Sequence, residues 1–355
     1  MKVFFIGKDL KINMNLFQLG SKDIGIDLGT ANVLVTIKDK GIVLKEPSVV
    51  AIDLKTNSLL AIGQEAKEML GKTPEQIKAI RPLKDGVIAD FTATQLMLKE
   101  ILRRVSRKYN VGRPRIVVGV PSGITEVEER AVEEALIQAG AREVFLIEEP
   151  MAAAIGANIE IAEPSGNLIV DIGGGTTEVA VVSLGGIVVS NSLRVAGDEL
   201  DQDIINYIKR EENLAIGSST AEQIKLNLGC AIPPTAEQDM QVRGRDLGTG
   251  LPKTINITSN QVGQAMSESI GKMVDIVRMT LEKTPPELAS DIMGKGIVLA
   301  GGGALIKDID KLISMKTEIP VYVAEEPLDC VVRGTAKTLE NLQDLKAVLT
   351  STRRR

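Results

Sequence analysis

Apolar positions in the first fifty residues fall in short runs with strand periodicity. Four of them, KDIGIDL, NVLVTIK, GIVLKEP and SVVAID between residues 22 and 53, are joined by turns at Gly29 and Lys40-Gly41. Residues 64–71 then read as a short helix, and Ala79 to Asp90 as a loop broken by Pro82 and Gly86. From Thr92 to Tyr109 the spacing becomes helical. Arg103, Arg104, Arg107 and Lys108 sit at the end of that helix, where cations complement its dipole. A continuous apolar run, Ile116 to Val120, predicts a buried strand. Thr125 with Glu128 three residues on predicts a capping box opening a helix to about Ala139, stopped by Gly140. A strand from Glu143 to Ile147 leads into Glu148-Glu149-Pro150 and an alanine-rich helix from Met151.

The second half repeats this plan. Strands are expected at Asn167 to Asp171, Glu178 to Ser183 and Gly186 to Ser192, and helices at Asp198 to Asn213 and Thr220 to Leu228. A loop-rich β region at 230–257 precedes a long helix, Ser259 to Lys283, that ends before Pro285-Pro286. The strand Ile297 to Ala300 runs into three glycines. This order of strands and helices predicts an α/β protein with mixed sheets.

Composition narrows the function classes. A chain of 355 residues suits two domains better than one. The net charge of −5 argues against nucleic acid as a partner, and the absence of histidine excludes Ser-His-Asp and Cys-His catalysis. Cys230 and Cys330 have no metal-binding spacing and fit a reducing compartment. No stretch is long and apolar enough to predict a transmembrane helix, and the first residues have no secretory pattern, so a cytoplasmic protein is expected. Phe4, Phe5 and Phe17 crowd the amino end. There Val3, Ile6, Leu10, Met14 and Phe17 follow helical spacing beside Lys2, Lys8 and Lys11, which suits an amphipathic helix on an anionic membrane. Leu10, Ile12, Met14 and Leu16 also alternate like a strand, so residues 1–20 support either use.

The candidate chemistry lies in two segments that match each other, IGIDLGTANVLVT at 24–36 and LIVDIGGGTTEVA at 168–180. Each is an apolar strand ending in aspartate, followed by a glycine turn carrying threonine and a second apolar run. Backbone N–H groups at such a turn can cradle phosphate. The first, Asp27-Leu28-Gly29-Thr30-Ala31-Asn32, reads equally well as a plain tight hairpin. The second places Gly173, Gly174 and Gly175 between buried strands, where glycine costs entropy and packs nothing unless a ligand or backbone comes close. An aspartate beside phosphates suits Mg²⁺, which keeps several waters. A third run, Gly301-Gly302-Gly303, can seat a base or sugar against bare backbone, and Glu149 at a strand end can orient a water for attack on a γ-phosphate. Glu148 beside it reads as a solvated charge. No Walker A or complete Rossmann fingerprint occurs.

Two Asp/Gly hairpins, a Glu-Pro-x-Ala-Ala segment and a late Gly-Gly-Gly loop resemble the motif set of the superfamily that contains actin, the sugar kinases and the seventy-kilodalton heat-shock ATPases. Longer runs are similar to the bacterial actins of the MreB/Mbl family: GIDLGTANVLV, EPSVVAID, IRPLKDGVIADF, LIEEPMAAAIGA, VDIGGGTTEVAVVSLG, YIKREENLAIGSSTAEQIK and GIVLAGGGALI. The likeness runs from about Asp23 to about Leu342, and the opening stretch most resembles the Mbl members. It implies an actin-like ATPase fold: two related domains with a duplicated RNase H-like core around a nucleotide cleft, each with a smaller subdomain. The expected bounds are an extension at 1–20, domain I at 21–150 and 320–355 with its subdomain at about 42–84, and domain II at 151–319 with its subdomain at about 193–257.

The resemblance also implies roles. ATP or ADP and Mg²⁺ would be the cofactors. Asp27 and Asp171 would hold the metal. Gly29, Thr30, Ala31 and Asn32 would grip phosphates from one side, and Gly173, Gly174, Gly175 and Thr176 from the other. Glu149 would position the attacking water with help from Thr176, and Asp171 would share in the chemistry. Gly301, Gly302 and Gly303 would line the adenosine pocket, with Glu222 and Lys225 on its other wall. Family partners would be other copies of the chain, head to tail in paired protofilaments, the inner face of the cytoplasmic membrane, and the cell-wall elongation machinery that shapes the cell. A membrane loop is implied near Phe91 to Leu98, although Leu96 to Leu102 reads as a buried helix face. The family's Gly-Thr-Gly-Lys-x-Leu-Glu helix start is here Gly334-Thr335-Ala336-Lys337-Thr338-Leu339-Glu340. A sugar-type kinase would need a further catalytic carboxylate and a polar, aromatic sugar pocket. A chaperone-like ATPase would need an appended peptide-binding domain, and the cell-division actin FtsA a C-terminal amphipathic anchor. The chain offers none of these signals.

Overall fold

The computed structural model describes residues 22–340 and 349–350. Two mixed sheets form its centre. The first has the order Leu349–Thr350, Glu143–Glu148, Arg115–Val120, Ile24–Leu28, Asn32–Ile37, Gly41–Pro47. The second has the order Gly186–Leu193, Thr177–Ser183, Asn167–Ile172, Ile297–Ala300, Val321–Val323. Each contains a three-strand antiparallel meander whose first strand pairs in parallel with a later strand, which in turn pairs in parallel with a last one. Even the irregularity repeats, since the register of each meander shifts between its second and third strands, at Val35/Thr36 and at Val181/Val182. The duplication read from the two hairpins thus extends to whole sheets.

Each sheet has its own core. In the first lobe Ile24, Ile26, Val118 and Leu146 pack with Met97, Leu98, Ile101 and Leu136. In the second, Leu168, Val170 and Leu299 pack with Ile204, Ile224, Met266 and Met273. Between the lobes lie the helices Glu149–Gly156 and Cys330–Glu340, bringing Met151, Ala152, Ala153 and Val331 against Ile169 and Ala180. A glycine on each helix lets the two touch backbone to backbone, because a Cβ at Gly156 would strike the Cys330 carbonyl and one at Gly334 the Ala152 carbonyl. Gly334–Glu340 is therefore the second half of a helix that starts at Cys330, not a helix start.

Smaller units stand beside each sheet. Val50–Asp53, Ser58–Ile62 and Ile77–Ile80 form a three-stranded sheet with the helix Gln64–Met69, and Leu214–Ala215, Asp239–Asp246 and Pro252–Thr258 form another. Gly41–Pro47 belongs to the first main sheet, so the first small unit begins after Pro47 rather than near 42. The boundary expected at residue 320 also moves. Val321–Val323 pairs in parallel with Ile297–Ala300, and the chain returns to the first lobe with Cys330–Glu340, which packs on Ile24–Leu28.

Local signals set many ends. Thr125 and Glu128 form the expected capping box and Gly140 closes the helix Glu126–Ala139. Thr258 and Gln261 form a second box for Ser259–Lys283. Ala79 to Asp90 is not all loop, since Ile77–Ile80 is a strand and Leu83–Lys84 pairs with Val87–Ile88. Within Phe91–Tyr109, Met97 and Leu98 are buried and Phe91 and Leu96 pack beside them, so core packing accounts for the Phe91 to Leu98 segment. The amphipathic segment expected at 1–20 lies outside the described residues. Among the described residues no helix is long and apolar enough to cross a membrane.

Candidate functional site

The residues singled out from the sequence line one cleft of about 620 Å³ between the lobes. Asp27, Gly29, Thr30, Ala31 and Asn32 come from the first hairpin, and Asp171, Gly173, Gly174, Gly175 and Thr176 from the second. Glu149, Glu222, Lys225 and Gly301, Gly302 and Gly303 complete the lining. Both aspartates occupy the same place, near the end of the first strand of a meander, because each strand turns at its glycines as it leaves the sheet. Glu149 opens the helix Glu149–Gly156 with Pro150 in its first turn, and its Cγ lies against Gly119 of the neighbouring strand.

Glycine is required where the two hairpins meet. A Cβ at Gly174 would lie 2.7 Å from that of Ala31, and one at Gly175 would lie 2.6 Å from the Thr30 hydroxyl. The turn at Asp85-Gly86 joins them, the Gly86 N–H donating to Thr30 Oγ1 at 3.1 Å. Gly301 has φ +77°, and a side chain there would run into the Asp171 carboxylate and the Ile172 carbonyl.

The site is strongly acidic. Asp171 and Glu149 are 5% and 9% exposed. Burial, with the Asp329 charge adding and Lys45 opposing, pushes Asp27 up to about 7. Burial and the charge of Asp27 push Asp171 to about 7. Glu149 is held well above the usual carboxylate range by burial, then by Asp27, Glu178 and Asp171. Such a group of mutually repelling buried acids fits a divalent cation. No three of the described acids or thiols converge as a ready-made metal cage.

Ion pairs cross the mouth of the cleft. Lys67 of the first small unit meets Glu222 at 2.7 Å, and Arg81 meets Asp198 at 2.5 Å. Lys225 pairs with Asp201 at 2.9 Å and donates to the Gly197 carbonyl at 2.6 Å. Glu222 and Lys225 therefore face the cleft while engaged within the protein. The half-exposed pairs that cross are worth up to about 1 kcal/mol each, enough to bias closure and too little to lock it.

A family model described as "MreB/Mbl protein" matches residues 21–347. The chain belongs to the MreB/Mbl family. It is 50% identical to the cell shape-determining protein Mbl of Bacillus subtilis over 325 residues, covering 92% of this chain and 98% of that protein. It is 52% identical to the cell shape-determining protein MreB of Escherichia coli, covering 90% and 94%. Among solved structures, MreB5 of Spiroplasma citri bound to ADP superposes with a TM-score of 0.87 at 43% identity, covering 92% of this chain and 98% of that one. The MamK filament structure, at 22% identity and a TM-score of 0.76, shares the fold. The duplicated lobes are thus those of an actin-like protein.

Two acids behind this MreB/Mbl cleft, Glu178 and Glu148, carry little signal of a role in the sequence and do not line the cleft itself. Glu178 is 1% exposed and accepts hydrogen bonds from the Ser122 N–H at 3.2 Å and the Ser192 hydroxyl at 2.6 Å. Burial pushes its carboxyl up to about 7 against those two donors. A glutamate inside the apolar run TEVAVVS was the only signal available. Glu148 is not a solvated charge, since it is half-buried and accepts from Ser122 Oγ at 2.6 Å.

Proposed function

We propose that this chain is a polymerising ATPase of the bacterial cytoskeleton, binding ATP or ADP between its lobes and forming membrane-associated filaments that organise wall synthesis and cell shape. The observation that carries this is the pair of Asp/Gly hairpins meeting across one cleft with Glu149 beside them. Gly29 to Asn32 and Gly173 to Thr176 would donate N–H and hydroxyl groups to phosphates from opposite sides. Asp27 and Asp171 would hold Mg²⁺, which would offset the negative charge of the phosphates. Glu149 would hold a water against the terminal phosphate with Thr176. Gly301 to Gly303 would lie under the adenosine, and Glu222 and Lys225 along its edge.

A ligand gripped by both lobes favours the closed form. A head-to-tail contact between closed copies that does not return on itself makes a filament. Relatives named for cell shape, and MreB5 crystallised with ADP and with AMPPNP, support this reading. The partners would be further copies of the chain, the inner membrane face and the wall-elongation machinery.

The test is sedimentation of the purified protein with ATP, ADP or no nucleotide, with and without anionic liposomes, followed by imaging of the pellets. Nucleotide-dependent filaments on lipid are expected. A nucleotide-binding protein that stays monomeric throughout would sink the cytoskeletal reading.

A further inference from the structure

Behind the cleft, a chain of hydrogen bonds passes from one lobe to the other. Asp171, Glu178 and Ser192 lie directly across from one another on three neighbouring strands of the second sheet, so their side chains share a face. Glu178 spends one carboxylate oxygen on Ser192 Oγ within that sheet and the other on the Ser122 N–H of the first lobe. Ser122 in turn gives its hydroxyl to Glu148, the residue before Glu149. Ser122 stands two residues beyond the strand Arg115–Val120, which holds Gly119 against the Glu149 side chain. A second link flanks the first: Arg194, one residue beyond the strand Gly186–Leu193, reaches Glu128 of the capping box at 3.8 Å.

We propose that Glu178 is a positioning residue for hydrolysis: its bond to Ser122 fixes the loop after Arg115–Val120 to the second lobe and so holds Glu149 in register with the second hairpin. Glu178 touches no nucleotide in this account. Rotation of one lobe on the other would strain this bond, because its donor and acceptor sit on different lobes, whereas the bonds to Ser192 and from Ser122 to Glu148 each lie within one. Losing a buried hydrogen bond leaves its donor unsatisfied, a cost large enough to displace a neighbour. Placement errors near 1 Å cost about a hundredfold in rate.

The inference rests on the ATPase reading, and one set of measurements separates the two. The full chain, Glu178→Ala and Glu178→Gln are compared for phosphate release across ATP concentrations, for ADP affinity and for thermal midpoint. Glu178→Ala is expected to lower kcat about tenfold with KM and ADP affinity nearly unchanged, a split that marks an interaction used in the reaction step. Glu178→Gln should recover most of the rate, since its carboxamide oxygen still accepts from Ser122 and its NH₂ can donate to Ser192. A wild-type chain that binds ADP and releases no phosphate would sink the ATPase reading and this inference with it. Normal hydrolysis in wild type and in Glu178→Ala alike would sink the inference alone. So would a parallel fall in ADP affinity and thermal midpoint, or a Gln variant as slow as Ala.

Discussion

The two lobes share one strand plan, yet they equip the cleft differently. The first hairpin has a single glycine and presents side chains: Thr30 takes a hydrogen bond from Gly86, and Ala31 packs on the opposite loop. The second has three glycines and presents bare backbone, so that the first hairpin can come within contact of it. The first lobe also supplies Lys45, within reach of Asp27, and Glu149. Duplication thus provides two equivalent frames, and divergence at the turns makes one a set of functional groups and the other a close-fitting cradle. Asp27 and Asp171 are what the two frames still hold in common.

Removing a group that only one lobe has should give the largest effect. Glu149→Ala is expected to lower phosphate release by about a hundredfold or more, the usual worth of a positioned acid or base. Nucleotide binding should persist, because the hairpins are untouched. Phosphate release and fluorescent-nucleotide titration measure the two quantities separately, and an unchanged release rate would remove Glu149 from the chemistry.

The cradle should be less tolerant than its partner. Gly174→Val would force a branched side chain into Ala31, whereas Ala31→Gly only removes a methyl group. Overpacking of this kind costs about 1–3 kcal/mol, so nucleotide affinity in Gly174→Val should fall about tenfold. The Ala31→Gly change should cost no more than about two- to fivefold, the scale of one glycine's added chain entropy of about 0.5–1 kcal/mol. Equal losses in the two variants would mean that the hairpins are interchangeable after all.

Much of this division was legible in the sequence because its signals are local. A strand ending in aspartate before glycines, and a threonine three residues before a glutamate, need no partner to be recognised. The structure places the two hairpins and the helix Glu126–Ala139 where those signals put them. Ile77–Ile80 was missed because it is short and half-exposed and stands just before Pro82, so its strand state depends on pairing with Val50–Asp53. Val321–Val323 is a three-residue edge strand, and only its neighbour Ile297–Ala300 shows to which lobe it belongs. In the sequence Glu178 has no role beyond opening a strand, because its partner Ser122 lies on the other lobe, 56 residues away.

The smallest expected effect tests what the lobes share. Asp27 and Asp171 are both raised to about 7 by burial, with further repulsion from Asp329 in one case and Asp27 in the other. In the unfolded chain both would titrate near their ordinary value of 3.8. Between those values the folded state binds more protons than the unfolded one. The resulting stabilisation is complete below about pH 4 and is lost as pH rises through about 7. Without metal or nucleotide, the thermal midpoint should therefore fall by roughly 5 °C between pH 5.5 and 8. Mg²⁺ with ADP should flatten that slope, since ionised carboxylates then face a cation. Asp27→Asn and Asp171→Asn should each remove part of the slope, in similar measure if the frames are equivalent here. A slope carried wholly by one aspartate would extend the divergence of the turns to the paired aspartates themselves.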